Sequence, residues 1–212
     1  MGPTVVTVGP LVASATTAIA LSQTPPAGLL TLNGALAVGG VAVLDVARTV
    51  LFSSTGNNSN TTFTITGTSW ARDQISESLV GSNGGTVTTL LSYKTVTSIS
   101  SSTASAAGLT VGTGTTASSP WVRLDGWSNP QLGLQTKVTG TVNYTVQFTY
   151  DDPNSATNPV APALVAWDAT GSPFVGATSS GTSSMMVSPT FVRVLLNSGA
   201  GSVTANFQQF GD

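Results

Sequence analysis

Short apolar runs that alternate with hydroxyl residues, and never reach the length of a helix, limit what this chain can become. The clearest case spans residues 48–67. Thr49-Val50-Leu51-Phe52 is followed by Thr61-Thr62-Phe63-Thr64-Ile65-Thr66, with a Ser/Thr/Gly/Asn segment between them. Phe63 and Ile65 alternate with threonines at period two, which sends the apolar pair to one face of a strand and the hydroxyls to the other. The intervening residues tolerate left-handed backbone or cap their own turns, so the stretch predicts a β-hairpin.

Similar runs recur along the chain. Leu29–Leu32, Asn33-Gly34 and Ala35–Val38 predict a second hairpin, since Asn-Gly favours a primed turn. Ile75–Val80 alternates, and so does Tyr93–Ile99, where Tyr93, Thr95, Thr97 and Ile99 fall on one side and Val96 on the other. Gly81–Thr86 reads as a loop. Val142, Tyr144, Val146, Phe148 and Tyr150 form a five-residue apolar stripe, the strongest strand in the chain. Val165–Asp168 reads as a short strand, and Phe191–Leu196 with Ser202–Phe207 predicts a closing hairpin that echoes the first. No amphipathic helix of three turns occurs.

Turn signals every ~8 to 12 residues imply an all-β chain of β-sandwich or jelly-roll type. The organisation expected is two small antiparallel β-units with an extended N-terminal arm. The arm covers 1–14, the first β-sandwich unit 15–118 and the second 119–212. The polar, glycine-containing stretch Thr113–Pro120 marks the boundary. Gly2, Pro3, Gly9 and Pro10 keep the arm from becoming a helix. Pairing of the arm with a neighbouring subunit and its use as an ordinary first strand are both open.

Composition narrows function by exclusion. Of 212 residues, 40% are hydrophobic, enough for a packed interior. Only 7% are charged, so the surface must be built from Ser, Thr, Asn, Gln and Gly. Such a surface can be buried against other subunits without stranding charge, which points to life inside an assembly. A secreted or thermally robust β-protein shares the composition. Net charge is −2 and the six basic residues form no stripe, so no nucleic-acid partner is expected. There is no cysteine to make a disulfide or thiolate site, and no histidine to serve as general base or zinc ligand. Residues 2–44 carry no charge, but Pro3, Pro10, Pro25 and Pro26 interrupt them, so no membrane insertion is expected.

Few residues invite chemistry. Asp151-Asp152-Pro153-Asn154 offers oxygens for calcium but lacks EF-hand spacing, and a capped turn explains it more simply. Asp125, Asp151, Asp152 and Asp168 contain possible pairs for glycoside hydrolysis, with nothing to set them apart from solvated loop acids. Trp70, Trp121, Trp127 and Trp167 are candidates for a sugar platform or for buried plugs of sandwich ends. Asn57, Asn60 and Asn143 stand in glycosylation sequons of a kind that arises by chance in a Ser/Thr-rich chain. No nucleophile elbow or phosphate loop is present. No catalytic, cofactor-binding or metal residue is therefore expected, and no enzyme activity.

The order of these pieces resembles a family of tailed-bacteriophage virion proteins. The runs that carry the likeness begin at Arg48-Thr-Val-Leu-Phe-Ser-Ser-Thr-Gly and Thr62-Phe-Thr-Ile-Thr-Gly-Thr. It continues through Tyr93–Ile99, Val111–Thr113, Ser119–Val122, Val138–Gln147 and Asp151–Pro153, and ends at Arg193-Val-Leu-Leu-Asn-Ser-Gly. Together they cover most of residues 15–210. The resemblance implies a virion structural protein on the capsid exterior, assembled in the host cytoplasm, with capsid decoration (cement) proteins the best fit. It implies the major capsid protein and further copies of the chain as partners, in a dimeric or trimeric homo-oligomer. A neck, tail or fibre-anchoring component is the near alternative, and a carbohydrate-binding β-sandwich module the alternative of another class. In the decoration reading the arm would staple neighbours, so its deletion would leave a folded protein that no longer binds shells.

Overall fold

Period-two patterning is realised throughout the computed structural model, which describes residues 3–125 and 131–209. The strands are β1 (Thr4–Val8), β2 (Ala20–Gln23), β3 (Gly28–Leu29), β4 (Ala37–Val38), β5 (Val41–Asn57), β6 (Thr62–Thr68), β7 (Gln74–Val80) and β8 (Asn83–Thr88). They continue as β9 (Tyr93–Ser101), β10 (Leu109–Ser118), β11 (Val122–Arg123), β12 (Leu132–Thr139), β13 (Asn143–Thr149), β14 (Gly181–Met185), β15 (Phe191–Ser198) and β16 (Ser202–Gln209). The protein is all-β, with curled antiparallel sheets. Its one helical element among the described residues is a single 3-10 turn at Pro162–Leu164.

The chain divides into two units, residues 13–115 and residues 1–12 with 116–212. The division falls inside β10, where the sequence suggested a polar linker. In the first unit the strand order is β10-β5-β9-β6-β7, with β8 and β4 on β5, β3 on β9 and β2 on β10. The alternation of β6 and β7 sends Phe63, Ile65 and Ile75 inward.

The predicted hairpin of residues 48–67 does not form as a ladder. Among the described residues, β9 lies between β5 and β6 and pairs with both. The two runs still meet, but face to face: the Phe52 and Phe63 rings stack with centroids 5.1 Å apart. Alternation fixes which side chains point inward, while the choice of neighbouring strand depends on contacts far along the chain. The Asn33-Gly34 hairpin is also absent. β3 pairs with β9 and β4 with β5, and the Asn33 amide oxygen accepts the Leu21 N–H at 2.9 Å. Residues 83–86, read as loop, belong to β8.

Strand β9 departs from strict alternation. Tyr93, Val96 and Ile99 are all fully buried. Thr66 pairs with Ser98 and Gly67 with Val96, so Thr97 is the extra residue of a bulge. Gly67 makes this packing possible, because a Cβ at that position would collide with the Thr95 carbonyl. The Tyr93 hydroxyl is buried without a hydrogen-bond partner among the described residues. Burial, and then the nearby Glu77 carboxylate, push its pKa up.

In the second unit β1-β16-β12-β14 form one sheet, while β15 carries β11, β13 and the last residues of β10. Of the two uses left open for the N-terminal segment, arm or ordinary first strand, the strand is found, at the edge of this sheet. Thr4–Val8 pairs residue by residue with Phe207–Val203, and Val6 and Val8 are buried. The closing hairpin is not a ladder either, since β15 and β16 belong to different sheets. The apolar stripe on β13 is buried from Val142 to Phe148, whereas Tyr150, one residue beyond the strand, is exposed. Val165–Asp168 contributes only a bridge from Asp168 to Phe148. A hydrogen bond of 2.7 Å between the Thr136 and Tyr144 hydroxyls links β12 to β13.

A cation with no ion-pair partner among the described residues holds the loop after β13. The Arg193 guanidinium lies 4.0 Å from the centre of the Trp167 ring and donates twice to the Gln147 amide oxygen, at 2.8 and 3.0 Å. Loss of water lowers its pKa, and the ring face with the amide oxygen stabilises the charge in return. Arg193→Lys keeps the charge but loses the flat group and the forked pair of donors. It is expected to destabilise this unit by about 1–2 kcal/mol in denaturant titration. An unchanged midpoint would show that the stack contributes nothing.

Candidate interaction surface

The threonines that alternate with the core residues of β6 all emerge on the opposite side of the sheet. Strand pairing sets Ser78, Thr64 and Ser100 in one row and Ser76, Thr66 and Ser98 in the next. Gln74, Thr68 and Thr95 make a third row. Hydroxyls bond across the strands: Thr68 to Thr95 at 2.7 Å, Thr64 to Ser78 at 2.9 Å and Thr66 to Ser76 at 3.4 Å. The bulged Thr97 donates to the Thr66 carbonyl at 3.1 Å. No charged residue stands in these rows.

Aliphatic residues border them. Leu29 is opposite Ser100, Val43 is opposite Thr95, and Val38 faces Val41 on the same side of β5 as Val43. Leu29 is 73% exposed and Val38 82%, with Val43 and Val80 each more than half exposed. Seven-residue strands at sheet spacing give the hydroxyl rows a footprint of roughly 23 by 15 Å. A standard interface buries about 800 Å² per partner, so these rows supply somewhat under half of one and the aliphatic border extends them.

Hydroxyls already bonded to one another lose little on burial, because each pair carries its partner with it. Exposed aliphatic side chains gain on burial. Such a surface is suited to docking a neutral partner surface. At one end, the Trp70–Arg72 turn and Lys94 frame a hollow of about 440 Å³ with Thr68 and Thr95.

The acids considered from sequence take part in local structure. Asp152 receives Arg123 in a forked pair at 2.7 and 3.2 Å and caps the Asn154 N–H at 2.8 Å. The Arg123 hydrogen bonds, then the cap, hold its pKa below the usual value. Asp151 accepts the Ala166 N–H, and Asp168 caps Thr170, both at 2.7 Å. The backbone bond from Thr170 lowers the Asp168 pKa. The Asp125 backbone is bracketed by the Gln209 amide. Among the described residues no three His, Cys, Asp or Glu side chains gather where a metal could sit.

The tryptophans do not line up as one platform. Trp121 and Trp167 meet edge to face at 5.0 Å, with Phe191 against Trp121. Trp70 belongs to the other unit and is 45% exposed. Trp127 lies outside the described residues. The side chains of Asn57 and Asn143 are engaged, the first with Ser59 and the second with Gly176 and Asn197. No helix among the described residues is long and apolar enough to cross a membrane. No protein-family model and no curated protein matches the chain.

Proposed function

We propose that this chain is a bacteriophage virion structural protein, a capsid decoration (cement) protein that binds the head shell through the outer face of β6, β7 and β9. The observation that carries this reading is a charge-free array of cross-bonded hydroxyls bordered by Leu29, Val38 and Val43. The rows themselves ask for a large, neutral protein partner, and Arg72 and Lys94 stand only at one end of them. The order of runs along the sequence, similar to that of virion proteins, supplies the partner: the major capsid protein, with neighbouring copies of this chain alongside. The reading carries no catalytic step.

The N-terminal residues play a different part from the one expected of an arm. β1 completes its own sheet, so shell binding in this reading rests on a preformed face. A neck or tail component with the same chemistry is the nearest alternative. Copy number separates them. Stain-quantified gels of purified particles should give hundreds of copies per virion for decoration. A dozen or fewer would assign the chain to the neck or tail, and none would remove it from the virion.

A further inference from the structure

The hollow at the end of the hydroxyl face gathers two cations, whereas three others are held elsewhere in the molecule. The chain has six Lys and Arg residues. Arg48 is buried against Asp45 and the Gly114 carbonyl, Arg123 is paired with Asp152, and Arg193 lies on Trp167. Lys137 is exposed on β12 without an ion-pair partner among the described residues. The remaining two, Arg72 and Lys94, line one hollow together with Trp70. No carboxylate among the described residues lines it. The nearby acids are turned to other work: Asp45 pairs with Arg48, and Asp73 accepts the Ser69 hydroxyl.

Each lining group has capacity to spare. The Lys94 ammonium donates to the Leu44 and Asp45 carbonyls at 2.6 and 2.9 Å, which fixes its position and leaves its third proton. Among the described residues the Arg72 guanidinium has no hydrogen-bond or ion-pair partner. Its backbone is left-handed, with φ of 72°, the one such residue other than glycine among those described. A side chain that large in that region carries strain, which persists where its direction matters. The turn thereby presents Arg72 and Trp70 together. Trp70 lines the hollow and is 45% exposed, and Thr68 and Thr95, their hydroxyls bonded to each other at 2.7 Å, line it too.

We propose that this hollow binds a sugar ring that bears a carboxylate, of the hexuronate class. The ring stacks on Trp70, the carboxylate takes the Arg72 fork and the Lys94 proton, and the sugar hydroxyls meet Thr68 and Thr95. The volume lies in the range of small-ligand sites, roughly 300–1,000 Å³. Exposed Trp and paired cations match both halves of such a ligand. A bare anion would leave the ring unused, and a neutral sugar would leave the cations unused. The site lies wholly within residues 13–115 and shares Thr68 and Thr95 with the hydroxyl face, so it is open to a sugar in the free protein.

The test is a titration of the full chain with sodium D-glucuronate, followed by the Trp70 indole N–H resonance, which is identified by its loss in Trp70→Ala. Saturable shifts at millimolar glucuronate are expected, with D-glucose and sodium acetate each at least about tenfold weaker. Arg72→Gly should weaken glucuronate binding by about tenfold or more while Tm stays level or rises by about 2 °C, since glycine accepts the left-handed backbone. No shift up to about 100 mM glucuronate, equal binding of acetate, or undiminished affinity in Arg72→Gly would each overturn the proposal.

Discussion

Removing residues 1–12 is expected to unfold the unit formed by 116–212, and not to release a dispensable appendage. Val6, Val8 and Leu11 are 8%, 1% and 8% exposed, so all three are core side chains. Burial of each contributes about 1.5–3 kcal/mol, and together they rival the whole stability of an ordinary domain, about 5–15 kcal/mol. The truncation also strips the ladder from β16, leaving Ser202–Gln209 with an open edge beside exposed apolar residues. The truncated chain should therefore be recovered as aggregate, or lose one of two unfolding transitions in calorimetry. A soluble truncated protein with the transitions of the parent would show that β1 is peripheral. This outcome differs sharply from the one an arm implies, in which the shortened protein folds and fails only at the shell.

What the sequence made legible was the direction of side chains, far more than the identity of neighbours. Phe63 and Ile65 point inward and Thr64 and Thr66 outward, as their alternation requires. The stripe from Val142 to Phe148 is buried as its spacing requires. Pairing was not legible, because residues 48–57 and 61–68 carry equal β-forming character whether they lie edge to edge or face to face. β9 separates them, and nothing local to either run encodes a strand some thirty residues away. The bulge at Thr97 had the same effect within β9. It adds one residue, so Val96 and Ile99 share a face that strict alternation denies them.

The candidate surface was half legible for the same reason. Its threonines could be placed on one side of β6, but Ser76, Ser78, Ser98 and Ser100 join them only through strand order. Trp70 was visible as a candidate aromatic. Its cationic companions were not, since Arg72 depends on a left-handed turn and Lys94 arrives from another strand. Of the four acids that sequence offered for chemistry, Asp151, Asp152 and Asp168 each cap or pair within local structure where they stand.

A single charge on the hydroxyl face is expected to abolish shell binding while leaving the fold intact. Thr66 sits in the middle row, between Ser76 and Ser98, and its side chain faces outward. Thr66→Arg adds a solvated charge to the free protein, where surface changes are worth within about 0.5 kcal/mol, so Tm should scarcely move. In the docked state that charge would be buried against a neutral partner. Burying an unpaired ion costs several kcal/mol, which lowers affinity by about a hundredfold or more. Undecorated heads mixed with the variant and sedimented should carry almost none of it. Thr182→Arg, on exposed strand β14 of the other unit, provides the control and should bind as the parent does. If Thr66→Arg decorates heads at full occupancy, the outer face of β6, β7 and β9 is not where the shell is met. If neither variant nor the parent binds heads while copy number per virion is low, the decoration reading itself falls.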